Sequence, residues 1–137
     1  MTTTSTTTTA TSIDDGTIGD VVDRWESAAS GSGNNTDDNG IGGWNVSAVK
    51  TMDGLFFDKP KFNATISHWQ VDQVTSMVRM FANATFFNSD VSKWNVAQVT
   101  AMQGMFAGAS SFNSDISQWN VARVREKEPQ NQNRVWP

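Results

Sequence analysis

Residues 69–93 read WQVDQVTSMVRMFANATFFNSDVSK, and residues 94–118 read WNVAQVTAMQGMFAGASSFNSDISQ. The two stretches agree at 15 of 25 positions without a gap. Residues 44–68, WNVSAVKTMDGLFFDKPKFNATISH, keep the same register, and a fourth copy opens at Trp119 and stops matching after Val124. Agreement of this kind at a fixed period marks a tandem array, in which each copy buries its apolar face against its neighbours.

Eight positions are identical in all three full copies: in the first they are Trp44, Val46, Val49, Met52, Phe56, Phe62, Asn63 and Ser67. Two further positions stay apolar, as Leu55, Met80 and Met105, and as Ile66, Val91 and Ile116. The positions that vary are mostly polar. The pattern predicts an α/β repeat solenoid, leucine-rich-repeat-like, with short parallel strands and short helical turns in each 25-residue coil. Asp115 to Ser117 and Val99 to Met102 read as strands, paired from coil to coil about 4.8 Å apart. Met105 to Ala109 reads as a helical or 3₁₀ turn.

Trp44, Trp69, Trp94 and Trp119 share a register otherwise filled by Val, Met and Phe, so the column reads as core rather than as a ligand platform. Asn63, Asn88 and Asn113 read as a structural ladder whose side chains bond turn amides of their own and the neighbouring copy. A glycan or ligand ladder is the alternative. Asn-x-Ser/Thr sequons stand at Asn34, Asn45, Asn63 and Asn83. Asn63 is expected to be buried in the ladder, which argues against its modification.

The rest of the chain divides around the array. Residues 1–12 are a Thr/Ser-rich leader without the composition of a packed core, read as disordered. Residues 13–43 are a capping helix followed by a Gly/Asn/Asp loop. Ile18, Val21, Val22 and Trp25 fall at helical spacing, and Asp14, Asp15 or Thr17 can cap the helix. The array itself runs over 44–124, as 44–68, 69–93, 94–118 and a partial 119–124. Residues 125–137 read as a disordered polar tail.

Composition excludes several functions. There is no cysteine, so no disulfide framework, thiolate metal site or cysteine nucleophile. The net charge is −4, and residues 1–43 hold seven acids against Arg24 alone. No basic stripe offers a footprint for nucleic acid. No stretch approaches the roughly 20 apolar residues of a membrane span, and MTTTSTTTTATS lacks the features of a signal peptide.

Chemistry-bearing residues are few. His68 is the only histidine and occupies a variable position shared with Lys93 and Gln118. Asp90 and Asp115 recur one copy apart, about 5 Å, superficially like paired carboxylates, and the repeat itself accounts for them. Asn35, Asp37, Asn39 and Gly40 imitate the start of a calcium loop, but its twelfth position is Val46 rather than a bidentate Glu. The reading is therefore of a chain that is not an enzyme. It has no catalytic residue, no metal site and no cofactor, and its ligand-binding residues are unassigned.

The phrase WNVxxVTxMxxMFxxAxxFNxDIS, clearest in residues 69–118, resembles the BspA-type leucine-rich-repeat-like surface proteins, whose repeat is also found in mycoplasma lipoproteins. The resemblance covers roughly residues 44–124. It implies display at the cell surface or outside the cell, and adhesion or protein binding without catalysis, with a protein or cell-surface partner. A carbohydrate-binding repeat and a truncated structural fragment without a partner of its own are the alternatives.

Overall fold

The apolar residues of the second copy fall three apart: Val71, Val74, Met77 and Met80, then Phe81, Ala84 and Phe87, then Val91 and, opening the third copy, Trp94. All of them are buried. In the structure, a computed structural model that describes residues 13–28 and 40–125, this spacing is a train of tight turns. The amide of Val74 donates to the carbonyl of Val71 (2.9 Å), Met80 to Met77 (3.3 Å), Ala84 to Phe81 (3.0 Å), Phe87 to Ala84 (3.1 Å) and Trp94 to Val91 (3.1 Å). Each turn delivers its first and fourth side chains to the same interior.

The amides between these turns leave the copy altogether. Those of Met52, Gly54, Phe56 and Asp58 donate to the carbonyls of Ser76, Val78, Met80 and Ala82, at 2.8–2.9 Å. One copy on, Met77, Arg79, Phe81 and Asn83 donate to Ala101, Gln103, Met105 and Ala107, at 2.7–2.9 Å. The copies therefore lie face to face in register, with alternate amides closing turns and bonding the next tier. The alternation requires left-handed backbone twice per copy. Gly54, Arg79 and Gly104 hold one position, with φ of 61°, 54° and 63°. Asp58, Asn83 and Gly108 hold the other, with φ of 57°, 62° and 73°.

These bonds overturn the expected α/β repeat solenoid of leucine-rich-repeat type. The described residues contain one α-helix, α1 (Ile18–Ala28), one 3₁₀ turn (Ile41–Gly43), and no strand or sheet. The expected Val99 to Met102 strand is reduced to a single bridge at Ala101, in the parallel series Thr51–Ser76–Ala101. A left-handed residue follows within three positions and ends the extended run. At Asp115 to Ser117 the expected strand is replaced by bonds from side chains. Asn63 Oδ1 accepts from the Asn88 amide (3.0 Å), and Asn88 Oδ1 from the Asn113 amide (2.8 Å). The Ser89 and Ser114 hydroxyls accept from the amides of Ile66 and Val91, each at 3.1 Å. With side chains as acceptors, no main-chain ladder forms there. Met105 to Ala109 is a pair of turns broken by left-handed Gly108, not a helix.

Helix α1 lies across the first copy. Its sequence alternates an apolar stripe with acids, and the stripe faces inward: Ile18 and Val22 are buried in the common core, and Trp25 meets Phe62 edge-on at 5.8 Å. The turn before it is closed locally by Asp14 and Thr17. Asp14 Oδ1 accepts from the Gly16 amide (3.1 Å) and the Thr17 hydroxyl (3.0 Å). Asp15 points away from the helix instead, and its Oδ1 accepts from the amides of Lys50 (2.6 Å) and Thr51 (2.9 Å). In the next copies the equivalent amides, Thr75 with Ser76 and Thr100 with Ala101, bond to the carbonyls of Lys50 and Thr75 in the tier before. The Asp15 carboxylate thus stands in for the carbonyl of a preceding copy. At the other end of the helix, Lys59 pairs with Asp23 (3.4 Å) and with Glu26. Burial opposes charge on Lys59, but the hydrogen bonds and attraction of Glu26 and then Asp23 outweigh it and raise its pKa.

The repeat register also begins earlier than Trp44. Ile41 is fully buried and stands 25 residues before Ile66. Its carbonyl accepts the Trp69 indole (2.8 Å), just as Ile66 accepts Trp94 (3.2 Å) and Val91 accepts Trp119 (3.0 Å). The Thr/Ser leader, most of the Gly/Asn/Asp loop with its calcium-like segment, and the tail after Arg125 lie outside the described residues.

Two outcomes test these assignments. Arg79→Gly should raise stability by about 0.5–1 kcal/mol, because the side chain has no part in the ladder and glycine accepts positive φ without strain. Gly54→Ala should lower it by about 1 kcal/mol, although an added Cβ meets nothing closer than 3.7 Å. Urea midpoints measure both. Separately, Asp15→Ala should cost about 1–2 kcal/mol and Asp15→Asn distinctly less, since Asn keeps the acceptor oxygen.

Candidate functional site

Most recurring polar and aromatic residues are consumed by the fold itself. The tryptophan column is stacked at 6.4–6.5 Å from Trp44 through Trp69 and Trp94 to Trp119. Trp69, Trp94 and Trp119 are buried with their indole N–H groups bonded to backbone carbonyls, as the core reading expected. Trp44, at the end of the column, is half-buried. Two phenylalanine columns run beside it. Phe56, Phe81 and Phe106 are spaced at 5.5 and 5.6 Å, and Phe62, Phe87 and Phe112 at 5.6 and 5.8 Å. The asparagine ladder also forms as expected, but Asn63, Asn88 and Asn113 are exposed rather than buried. Their side-chain carbonyls cross from tier to tier at the surface, so burial gives no argument about modification of Asn63.

Asp90 and Asp115 sit at the surface as turn caps. Asp90 Oδ1 accepts from the Ser92 amide (2.9 Å) and the Ser114 hydroxyl (3.2 Å), and Asp115 Oδ1 accepts from the Ser117 amide (3.0 Å). Hydrogen bonds from Ser92 hold the Asp90 carboxyl below its ordinary pKa, and hydrogen bonds from Ser117 do the same for Asp115. Two carboxyls sharing a proton would push one pKa upward, and here both move down. A lowered folded-state pKa means that the stability they lend is present at neutral pH and fades as pH falls through the carboxylate range. His68 is exposed. Among the described residues, no group of three or more His, Asp or Glu is placed to hold a metal ion.

One edge of the array carries exposed phenylalanines. In each copy five residues join the first phenylalanine column to the second, partly exposed and partly buried, with Ala82, Ala84 and Ala109 turned inward. Phe56 and Phe62 meet at 3.8 Å, Phe81 and Phe87 at 3.9 Å, and Phe106 and Phe112 at 4.0 Å. The five-residue links between them stack: the Asp58 amide bonds to Ala82 (2.8 Å), the Phe86 amide to Pro60 (3.0 Å), and the Ser111 amide to Thr85 (3.1 Å). Six of the chain's eight phenylalanines are core, and the other two lie on these links. Phe57 is 46% exposed and Phe86 60% exposed. Lys61 is exposed on the same edge, and Phe86 occupies the Lys61 position in the next tier. Sequence reading missed this edge, because the register leaves Phe57 and Phe86 at variable positions and only the folded chain brings those positions onto one edge.

A stacked repeat protein with a buried aromatic interior and one variable, aromatic-bearing edge is the class this geometry defines. A family model described as "Mycoplasma protein of unknown function, DUF285" matches residues 26–133, which is 108 of the 137 residues, and the chain belongs to that family. The match begins within α1 and spans the whole array; it places the chain in this Mycoplasma family and does not extend to the BspA-type leucine-rich-repeat proteins. No curated protein and no solved structure matches the chain. No helix among the described residues is long and apolar enough to cross a membrane.

The ladder assignment has its own test. Asn88→Ala removes the acceptor of the Asn113 amide and should cost about 0.5–1.5 kcal/mol in chemical denaturation. Asn88→Asp, which keeps an oxygen at the same reach, should cost less.

Proposed function

We propose that this chain is a non-catalytic protein-binding or adhesion module of surface-protein type, and that its contact surface is the edge formed by residues 57–61 and 82–86. The observation that carries the proposal is the exposure of Phe57 and Phe86 in a fold that buries every other phenylalanine. Phenylalanine is among the residue types enriched in protein interfaces, so two exposed rings on one edge mark a contact surface. None of the five positions of this edge is identical in all three copies; one column reads Phe57, Ala82 and Ala107, and another Lys61, Phe86 and Ser111. Such columns can change partner without disturbing the core. Display at the cell surface or outside the cell is proposed on the resemblance of the repeat phrase to BspA-type surface proteins.

The carbohydrate alternative relied on the tryptophan column as a stacking platform. Burial of Trp69, Trp94 and Trp119 removes that platform, and the outer edge carries the protein-binding reading instead.

The test is capture from cell-surface fractions on the immobilised full chain, compared with a Phe57→Ser/Phe86→Ser variant. Both side chains face solvent, so the variant should melt within about 0.5 kcal/mol of the parent. The expected result is a saturable protein partner whose binding the variant loses by tenfold or more. Equal capture by the two proteins, or no saturable capture by either, would overturn the proposal.

A further inference from the structure

Helix α1 is fastened to the repeats through the turn before it and through its second half, and its first turn carries a glycine. Among the described residues, carboxylates make the polar contacts between it, with the turn before it, and the repeats: Asp15 to the Lys50 and Thr51 amides, and Asp23 and Glu26 to Lys59. Between them sits Gly19, around which a Cβ would meet nothing within 4 Å. No steric demand therefore calls for glycine there, in the first turn of a helix of only 11 residues. The Trp25 indole N–H is buried and finds no acceptor, whereas the indoles of Trp69, Trp94 and Trp119 all do. A buried donor without an acceptor favours the state in which it reaches water.

The surface beneath α1 has a definite chemistry. It offers two main-chain amides at one end, the Lys59 ammonium at the other, and the Phe62 ring against which Trp25 stands. Amides and an ammonium at the two ends of an aromatic floor match a short helix with an apolar stripe and acids at both ends. Helix α1 is one such helix.

We propose that α1 is a detachable lid, and that the seat it covers binds an acidic amphipathic helix presented by a partner protein. Charge complementarity selects the occupant: carboxylates reach the Lys50 and Thr51 amides and the Lys59 ammonium, and an apolar stripe fills the space between. The seat adjoins the exposed Phe57 and Phe86 edge at Lys59, whose ammonium is turned to α1. In the closed state α1 occupies the seat, so the apparent affinity for a partner helix is reduced by the fraction of chains that are open. Changes that loosen α1 should therefore tighten binding in trans.

The experiment titrates a fluorescently labelled peptide of residues 13–28, carrying Gly19→Ala to favour the helix, with the full chain up to millimolar concentration. Anisotropy reads the binding. A full-length Arg24→Pro variant, in which an exposed interior position of the lid helix is broken, should bind the peptide at least about tenfold more tightly than the parent. An Asp15→Ala/Glu26→Lys variant, which loosens both fastenings without touching Arg24, should move in the same direction. A peptide with Asp23→Lys and Glu26→Lys should lose the binding. Three results would overturn the proposal. The first is loss of cooperative unfolding of the repeats in both variants, which would make α1 an inseparable part of the stack. The second is equal binding by parent and variants. The third is equal binding of the charge-reversed peptide.

Discussion

Everything in this fold depends on where alternate backbone amides of residues 52–58 and 77–83 go. They leave their own copy and end on carbonyls of the next one, 24 residues on. A single 25-residue copy has no helix and no sheet of its own, so its turns gain lasting partners only when another copy is laid on it. Four such bonds per junction also hold the register. The phenylalanine columns then stack at 5.5–5.8 Å and the tryptophan column at 6.4–6.5 Å. The aromatic stacking follows from the amide register, and in turn keeps water away from the turns that bear it.

The ends of such an array need substitutes for the missing neighbour. At the first copy the substitution is chemically specific. One carboxylate oxygen of Asp15 serves two amides that elsewhere share a main-chain carbonyl, and Ile41 supplies the carbonyl and the buried side chain of a partial preceding copy. Helix α1 covers what remains with Ile18, Val22 and Trp25. A helix can end a stack of turns because it satisfies its own backbone and presents only side chains to the face it covers.

Much of this was legible in the sequence, and the errors have identifiable causes. The period, the core columns of Trp, Val, Met and Phe, the role of Asn63, Asn88 and Asn113, and an amphipathic helix lying on the first copy all follow from residue identity at fixed spacing. The strands did not. Val71, Val74, Met77 and Met80 are spaced at three, which is the repeat of consecutive turns, but a spacing of three is equally the start of a helical pattern and also admits short strands. The residues that decide between them are the left-handed positions, and half of these are Arg79, Asp58 and Asn83, which do not announce positive φ as glycine does. Ile41 was overlooked because IGGW shares only two residues with ISQW. The outer edge was legible only in part: the register assigns Phe56 and Phe87 to recurring core columns and leaves Phe57 and Phe86 at variable positions, but the folded chain alone brings those positions onto one edge.

Native-state hydrogen exchange on the amides of Gly54, Phe56, Asp58, Arg79, Phe81 and Asn83 tests the central claim most directly. If copy-to-copy bonds hold the fold, these six amides should share one opening free energy, equal to that of global unfolding, because none can open without separating two tiers. Separate opening free energies for the two junctions, or exchange of these amides near unfolded-chain rates while the turns within a copy stay protected, would contradict it.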